Sequence, residues 1–322
     1  MEPEPAQIVP PSKLHFIFRN ERGLRAGWRL LIFVAMLVGF GFLSGWVVSR
    51  LRGGRQRPQS AGGDPLQLLA IEAFLFLVVL FFTWVMSRLE RRQMGVYGLP
   101  LQRSLLKSFV TGWVFWGFLP LTLLLLAMRG LQVFYFGNVA LHGAEIFRYA
   151  LVWGVMFLFV GLFEEYFTRG YMLYTLADGL GFWPAVILLA LLFGYGHMGN
   201  PGESRIGIVD VCLFAVFASV TLRLTGNLWL AVGAHAGWDW GESFFYGVND
   251  SGTTAVGHLL NSHAQGPAWL SGGTVGPEGS VLSSLLLVLM TAAFVAIYRP
   301  RRPRPVIVTV TAEDNPTALP PL

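Results

Sequence analysis

Residues 148–173 read RYALVWGVMFLFVGLFEEYFTRGYML. From Tyr149 to Phe163 the run is apolar and aromatic without a charge. A membrane-crossing helix needs about 20 mostly apolar residues, so this stretch reads as a span. Glu164, Glu165 and Arg169 nevertheless lie within it. An ionisable group at the centre of such a helix costs about 2.5–3.5 kcal/mol on insertion scales, so it turns inward and finds a partner. Adjacent helical residues point about 100° apart, which sends Glu164 and Glu165 to different tasks. Glu165 and Arg169 are four residues apart and can pair on one face. The segment therefore predicts a structural ion pair beside a free carboxylate, Glu164. The alternative is one structural network of all three.

Composition agrees with a membrane protein. Of 322 residues, 54% are hydrophobic and 13% charged, and mean hydropathy is +0.57. Eleven tryptophans suit anchoring at membrane interfaces. The net charge of +5 could suggest nucleic acid. The basic residues instead cluster at the ends of apolar runs, as at Arg50–Arg57, Arg88–Arg92 and Arg299–Arg304. They read as topology determinants that also meet lipid headgroups, and no nucleic-acid partner is expected. The single cysteine, Cys212, rules out an intramolecular disulfide and a cysteine-rich zinc site. It reads as a small buried apolar residue.

Outward from the opening stretch, eight spans are expected: Trp28–Val48, Leu66–Met86, Leu105–Ala127, Tyr149–Leu176, Trp183–His197, Ile206–Leu224, Leu228–Phe245 and Val281–Tyr298. The fold class is thus all-α, a polytopic membrane protein of about eight transmembrane helices around a polar intramembrane site. Residues 1–27 are expected as an N-terminal cytoplasmic segment, 28–298 as the transmembrane domain and 299–322 as a disordered, Pro- and Arg-rich tail. The N-terminus lacks an early apolar core, so the first span is expected to act as an uncleaved insertion signal. Lys13, Arg19, Arg22 and Arg25, with Arg88, Arg91, Arg92, Arg103 and Lys107, favour both termini in the cytoplasm; the Arg50–Arg57 cluster argues against it. The connection Gly247–Ser280 is long and rich in Gly, Ser and Thr, as for a segment that covers a cavity or moves.

Two further polar groups interrupt the spans. LLFGYGHMGNPGES ends a short apolar helix at His197, ahead of a Gly-Asn-Pro-Gly breaker. Gly194 and Gly196 permit close approach by a neighbour. In LWLAVGAHAGWDWGESFF, His235 and Asp239 are four residues apart and share a face. Gly233, Ala234, Ala236 and Gly237 are expected to leave room around the imidazole. Glu242, a turn further on, is expected near the interface.

Each of these residues alone reads more simply as a hydrogen-bonded or interfacial group. Three helices each keeping a costly polar residue predict convergence. For Glu164 and His197 to meet, the fifth span must be short or tilted, ending inside the protein. Glu164 could then act as general base on a water with His197 assisting, while His235 and Asp239 stabilise an oxyanion. Alternatively Glu164, His197 and His235 could bind zinc and lower the pKa of its water to about 7. The residues leave both open. The spacing does not match HExxH.

EEYFTRG fits EExxxR, FGYGH fits FxxxH, and HAGWD fits Hxxx(N/D). In this order and in apolar spans, they resemble the CPBP family, which holds the CAAX prenyl endopeptidases and the bacteriocin-processing or self-immunity (Abi) proteins. The resemblance covers residues 148–245 and extends in character to FRNERGLRAGWRLLIF. It implies an eight-helix intramembrane protease, with Glu164 activating water beside His197, His235 and Asp239 binding the oxyanion, and Glu165 and Arg169 in support. Asp239 stands where the eukaryotic CAAX enzymes carry asparagine. An ionised aspartate cannot donate to an oxyanion, so Asp239 is protonated, pairs with His235 or binds metal. The chain looks bacterial in style, which places it in a bacterial cytoplasmic membrane. A membrane-associated peptide or protein is then the expected substrate class, in place of a prenylated one. The rival readings are a non-catalytic scaffold or bacteriocin-immunity protein of the same fold, and a transporter or proton relay. No internal repeat favours the transporter. The sequence leaves the oligomeric state open.

Overall fold

The computed structural model describes residues 17–20, 23–52 and 64–299. The expectations for Lys13, Arg22, Arg55, Arg57, the tail beyond Arg299 and most of the N-terminal segment lie outside these residues. Apolar runs of membrane length become helices because, in lipid, backbone polar groups must be satisfied within the segment. Eight helical segments form where eight spans are expected. They are α1 (Ala26–Arg52), α2 (Pro65–Leu89), α3 (Leu105–Gly130), α4 (Ala144–Leu180), α5 (Phe182–His197), α6 (Arg205–Thr225), α7 (Trp229–Trp240, continued by the π-helical turn Gly241–Tyr246) and α8 (Val281–Tyr298). Among the described residues, six of them (α1–α4, α6 and α8) are long and apolar enough to cross a membrane. α5 is shorter, and α7 is almost wholly enclosed by its neighbours. The protein is an all-α polytopic membrane protein.

Local sequence sets the helix ends. Asp64 caps α2 by accepting from Leu66 N at 3.0 Å, with Pro65 at the first helical position. Ser204 caps α6 by accepting from Gly207 N at 2.9 Å. Ser280 caps α8 by accepting from Leu282 N at 3.2 Å. Outward faces of α1 and α2 present Phe42, Leu43, Trp46, Phe74 and Phe81 to the surroundings, as expected of lipid-facing sides.

The centre is α7, packed against α3 along a seam without side chains. A Cβ added at Gly112 would lie 2.1 Å from the Leu230 carbonyl oxygen, and at Gly117 2.3 Å from that of Ala234. From the other side, Gly233 meets the Phe109 carbonyl at 2.1 Å and Gly237 that of Trp113 at 2.4 Å. Close approach of helices in lipid is driven by such small residues. This corrects one expectation: Gly233 and Gly237 serve the seam with α3 and do not make room for His235.

Connections gather at two ends. At one, Leu228 N donates to Gly98 O at 2.7 Å and the Trp229 indole to Pro100 O at 3.0 Å, beside Arg91, Arg92 and Arg103. At the other, Phe134–Tyr135 pairs antiparallel with His263–Ala264, and Gly252 N donates to Val275 O at 2.8 Å. Gly252 has φ +77°, and a Cβ there would lie 1.7 Å from Pro201 O. Residues 247–280 thus form a tied-down roof at this end, built from a hairpin and single-turn helices.

Candidate active site

α4 and α5 form an antiparallel hairpin turned at Gly181, φ +85°. Glu164 stands 16 residues before the end of its arm at Leu180, and His197 15 residues after the start of its own at Phe182. At 1.5 Å per residue both lie up to about 24 Å from the turn. Equal arms are what bring them level. In α4 the helix passes through a π-helical turn, Thr168–Met172, with non-helical backbone at Gly170; such turns commonly mark functional positions.

The expected division of the acid pair is observed. Glu165 is fully buried and accepts from Arg169 Nη1 at 3.0 Å. Arg169 also donates to Thr168 Oγ1 at 2.8 Å, and its guanidinium lies 4.8 Å from the centroid of the Phe193 ring. Glu164 points away from this pair into a cavity of about 350 Å³. Its Oε2 is 4.0 Å from His197 Nε2 and 3.7 Å from His235 Nε2, which leaves room for one water. Asp239 Oδ2 lies 3.4 Å from His235 Nε2.

Each imidazole is held by its other nitrogen. His197 donates from Nδ1 to Phe193 O at 2.8 Å. His235 donates from Nδ1 to Glu165 Oε1 at 2.9 Å. With Nδ1 so engaged, both Nε2 atoms face Glu164, and that of His235 also faces Asp239. The tie from Glu165 to His235 was not expected: Glu165 bridges Arg169 and the histidine. Gly194 does admit a neighbour, with Cys212 Sγ at 2.6 Å from its added Cβ, whereas nothing approaches Gly196.

A tetrahedral zinc with ligand bonds of about 2.0–2.1 Å sets its donors roughly 3.4 Å apart. Glu164 Oε2 stands 4.0 Å from His197 Nε2 and 3.7 Å from His235 Nε2, wider than that spacing, so this trio does not fit that metal as arranged.

The cavity is lined by apolar Leu68, Trp153, Met156, Phe157, Val160 and Phe214, and by acids the sequence reading passed over: Glu72, Asp210, Asp250 and Glu278. Glu72 and Asp210 are single acids in apolar spans, the same signal that identified Glu164. Asp250 and Glu278 sit in the roof and carried no such signal. Burial pushes the Asp250 carboxyl well above its usual range, with Asp239 adding to the shift. It pushes Glu278 up to about 8, with Asp250 adding. Glu242 is wholly buried, within the π-helical turn Gly241–Tyr246 that ends α7.

Residues 146–241 match the family model described as type II CAAX prenyl endopeptidase Rce1-like. The motif resemblance is therefore borne out at the level of the CAAX protease family. This Rce1-like segment contains all three motifs and runs from α4 to the end of α7. No curated protein and no solved structure matches the chain. The match points to a CAAX-type membrane protease, and with six apolar spans the chain is an integral membrane protein.

Proposed function

We propose that the protein is an intramembrane endopeptidase that hydrolyses a peptide bond of a membrane-associated protein or peptide through a water activated by Glu164. The observation that carries this reading is the meeting of Glu164, His197 and His235, from three helices, at one cavity.

A water between Glu164 Oε2 and His197 Nε2 gives its proton to one of these bases as its oxygen attacks the scissile carbonyl carbon. The proton then passes to the leaving amine nitrogen as the C–N bond breaks. His235, when it carries a proton on Nε2, donates to the oxyanion. Asp239 acts on His235, at 3.4 Å, in place of donating itself. Glu165 and Arg169 fix the imidazole from behind. The apolar lining receives the hydrophobic part of the substrate.

The end bearing Arg88, Arg91, Arg92, Arg103 and Lys107 is taken as cytoplasmic by the positive-inside rule, in a bacterial cytoplasmic membrane. The cavity then opens under the roof on the opposite side.

The test is cleavage of a library of membrane-anchored peptides by purified protein, beside Glu164→Ala and His197→Ala, each with and without chelator. Loss in both variants and insensitivity to chelator are expected. Cleavage that survives in Glu164→Ala would overturn the assignment, and chelator inhibition reversed by zinc would replace the direct mechanism with a metal-dependent one. A folded wild-type protein that cleaves nothing would favour a scaffold of the same fold.

A further inference from the structure

We infer that Glu242, Asp250 and Glu278 form a binding site for a hard divalent cation of the calcium type, between α7 and the roof. Carboxylate oxygens of the three lie within 4.8 Å of one another. Glu242 is fully buried, and neither of its oxygens accepts a hydrogen bond of ordinary geometry, the Trp238 side chain being a donor close by. Its charged neighbours are Glu278, Asp250 and Asp239, with the Trp238 indole alongside. Among the described residues, no Lys or Arg forms an ion pair with any of the three.

A buried, unpaired carboxylate costs several kcal/mol. The fold meets this with more carboxylates, an arrangement that a dication satisfies. The two partners are already oriented. Asp250 Oδ2 accepts from Ser243 Oγ at 3.0 Å, and Glu278 Oε1 accepts from Ser251 N at 2.5 Å. Each keeps its other oxygen for a ligand. Hydrogen bonds of this kind fix ligand orientation in metal sites.

The donor set selects the ion. Oxygen-only ligation without imidazole or thiolate suits Ca²⁺, Mg²⁺ or Mn²⁺ over zinc and copper. Mg²⁺ keeps several waters, whereas Ca²⁺ accepts a protein-built oxygen cage. Full burial of Glu242 favours the second. The ion would join the end of α7, which carries His235 and Asp239, to the Asn249–Thr254 hairpin and to the Pro277–Gly279 turn. It would fasten the roof over the cavity. This inference stands apart from the hydrolytic reading, since none of the three residues is assigned to the chemistry.

The experiment uses the full chain in detergent after chelator treatment, with Tb³⁺ as a luminescent substitute for Ca²⁺ and tryptophan excitation. Saturable Tb³⁺ emission is expected, displaced at least tenfold more effectively by Ca²⁺ than by Mg²⁺. Glu242→Gln should abolish it. Glu278→Gln, at a half-buried roof position, should weaken Tb³⁺ binding at least tenfold even where Glu242→Gln fails to fold. Folded protein with no saturable emission, emission unchanged in Glu278→Gln, or displacement by Zn²⁺ but not by Ca²⁺ would each overturn the proposal.

Discussion

Two buried polar clusters divide this molecule, and they are built on opposite plans. One joins α1, α2 and α4. Arg29 donates from Nη1 to Glu90 at 2.8 Å and from Nη2 to Asp178, Tyr171 bonds Glu90, and Arg92 stands 3.4 Å from the same carboxylate. Its charges are opposed and matched. The other surrounds Glu164, where two imidazoles turn their Nε2 atoms into a cavity shared with Asp239 and further acids. The first sets each charge against an opposite one. The second gathers acids and imidazoles around open space. A buried cluster that satisfies itself contributes structure, while one that turns imidazoles and carboxylates into a shared cavity can bind and react.

The sharpest way to break this contrast is to exchange the outcomes. Glu164→Gln should lower cleavage by about 10²–10⁴-fold and leave the thermal unfolding temperature nearly unchanged, as read by peptide cleavage beside unfolding in detergent. Arg29→Ala should do the reverse. It removes the guanidinium that Glu90 and Asp178 share in a buried setting, at about 3–5 kcal/mol, while the activity per folded molecule holds. Chemical unfolding in mixed micelles with activity normalised to the folded fraction checks this. Equal loss of activity and stability in both variants would erase the distinction.

Glu165→Gln is an intermediate case, because Glu165 belongs to both plans. It should cost about 10²-fold in rate through misplacement of His235 and also lower stability. A rate loss without a stability loss would move Glu165 into the reacting group itself. The smallest effect is expected for Phe193→Leu, which removes the aromatic face beneath Arg169, worth about 0.5–1 kcal/mol. A double-mutant cycle with Arg169→Lys measures that coupling.

Much of the contrast is legible in sequence, and the reasons are specific. The α4 stretch shows its chemistry because charges inside an apolar run are costly, and the spacing of Glu165 and Arg169 names the pair. The bond from Glu165 to His235 is not legible, since it depends on how α7 rotates against α4. That rotation is set by glycines along the α3–α7 seam, Gly112 and Gly117 on α3 and Gly233 and Gly237 on α7. Arg29 resembles any arginine at the head of a span until its partners on α2 and α4 are seen. The full burial of Glu242 is not legible either, because the π-helical turn that holds it leaves no mark in the apolar pattern.

The matched arms of the α4–α5 hairpin have a consequence for how this chain can vary. One residue inserted between Glu164 and Leu180, or between Phe182 and His197, would move a reacting group by about 1.5 Å and swing it by about 100°. Substitution is therefore tolerated along these arms far more readily than a change of length. The reading frame of the site is kept by a count of residues, so a lone insertion or deletion there is expected to disable the protein even where every named side chain survives.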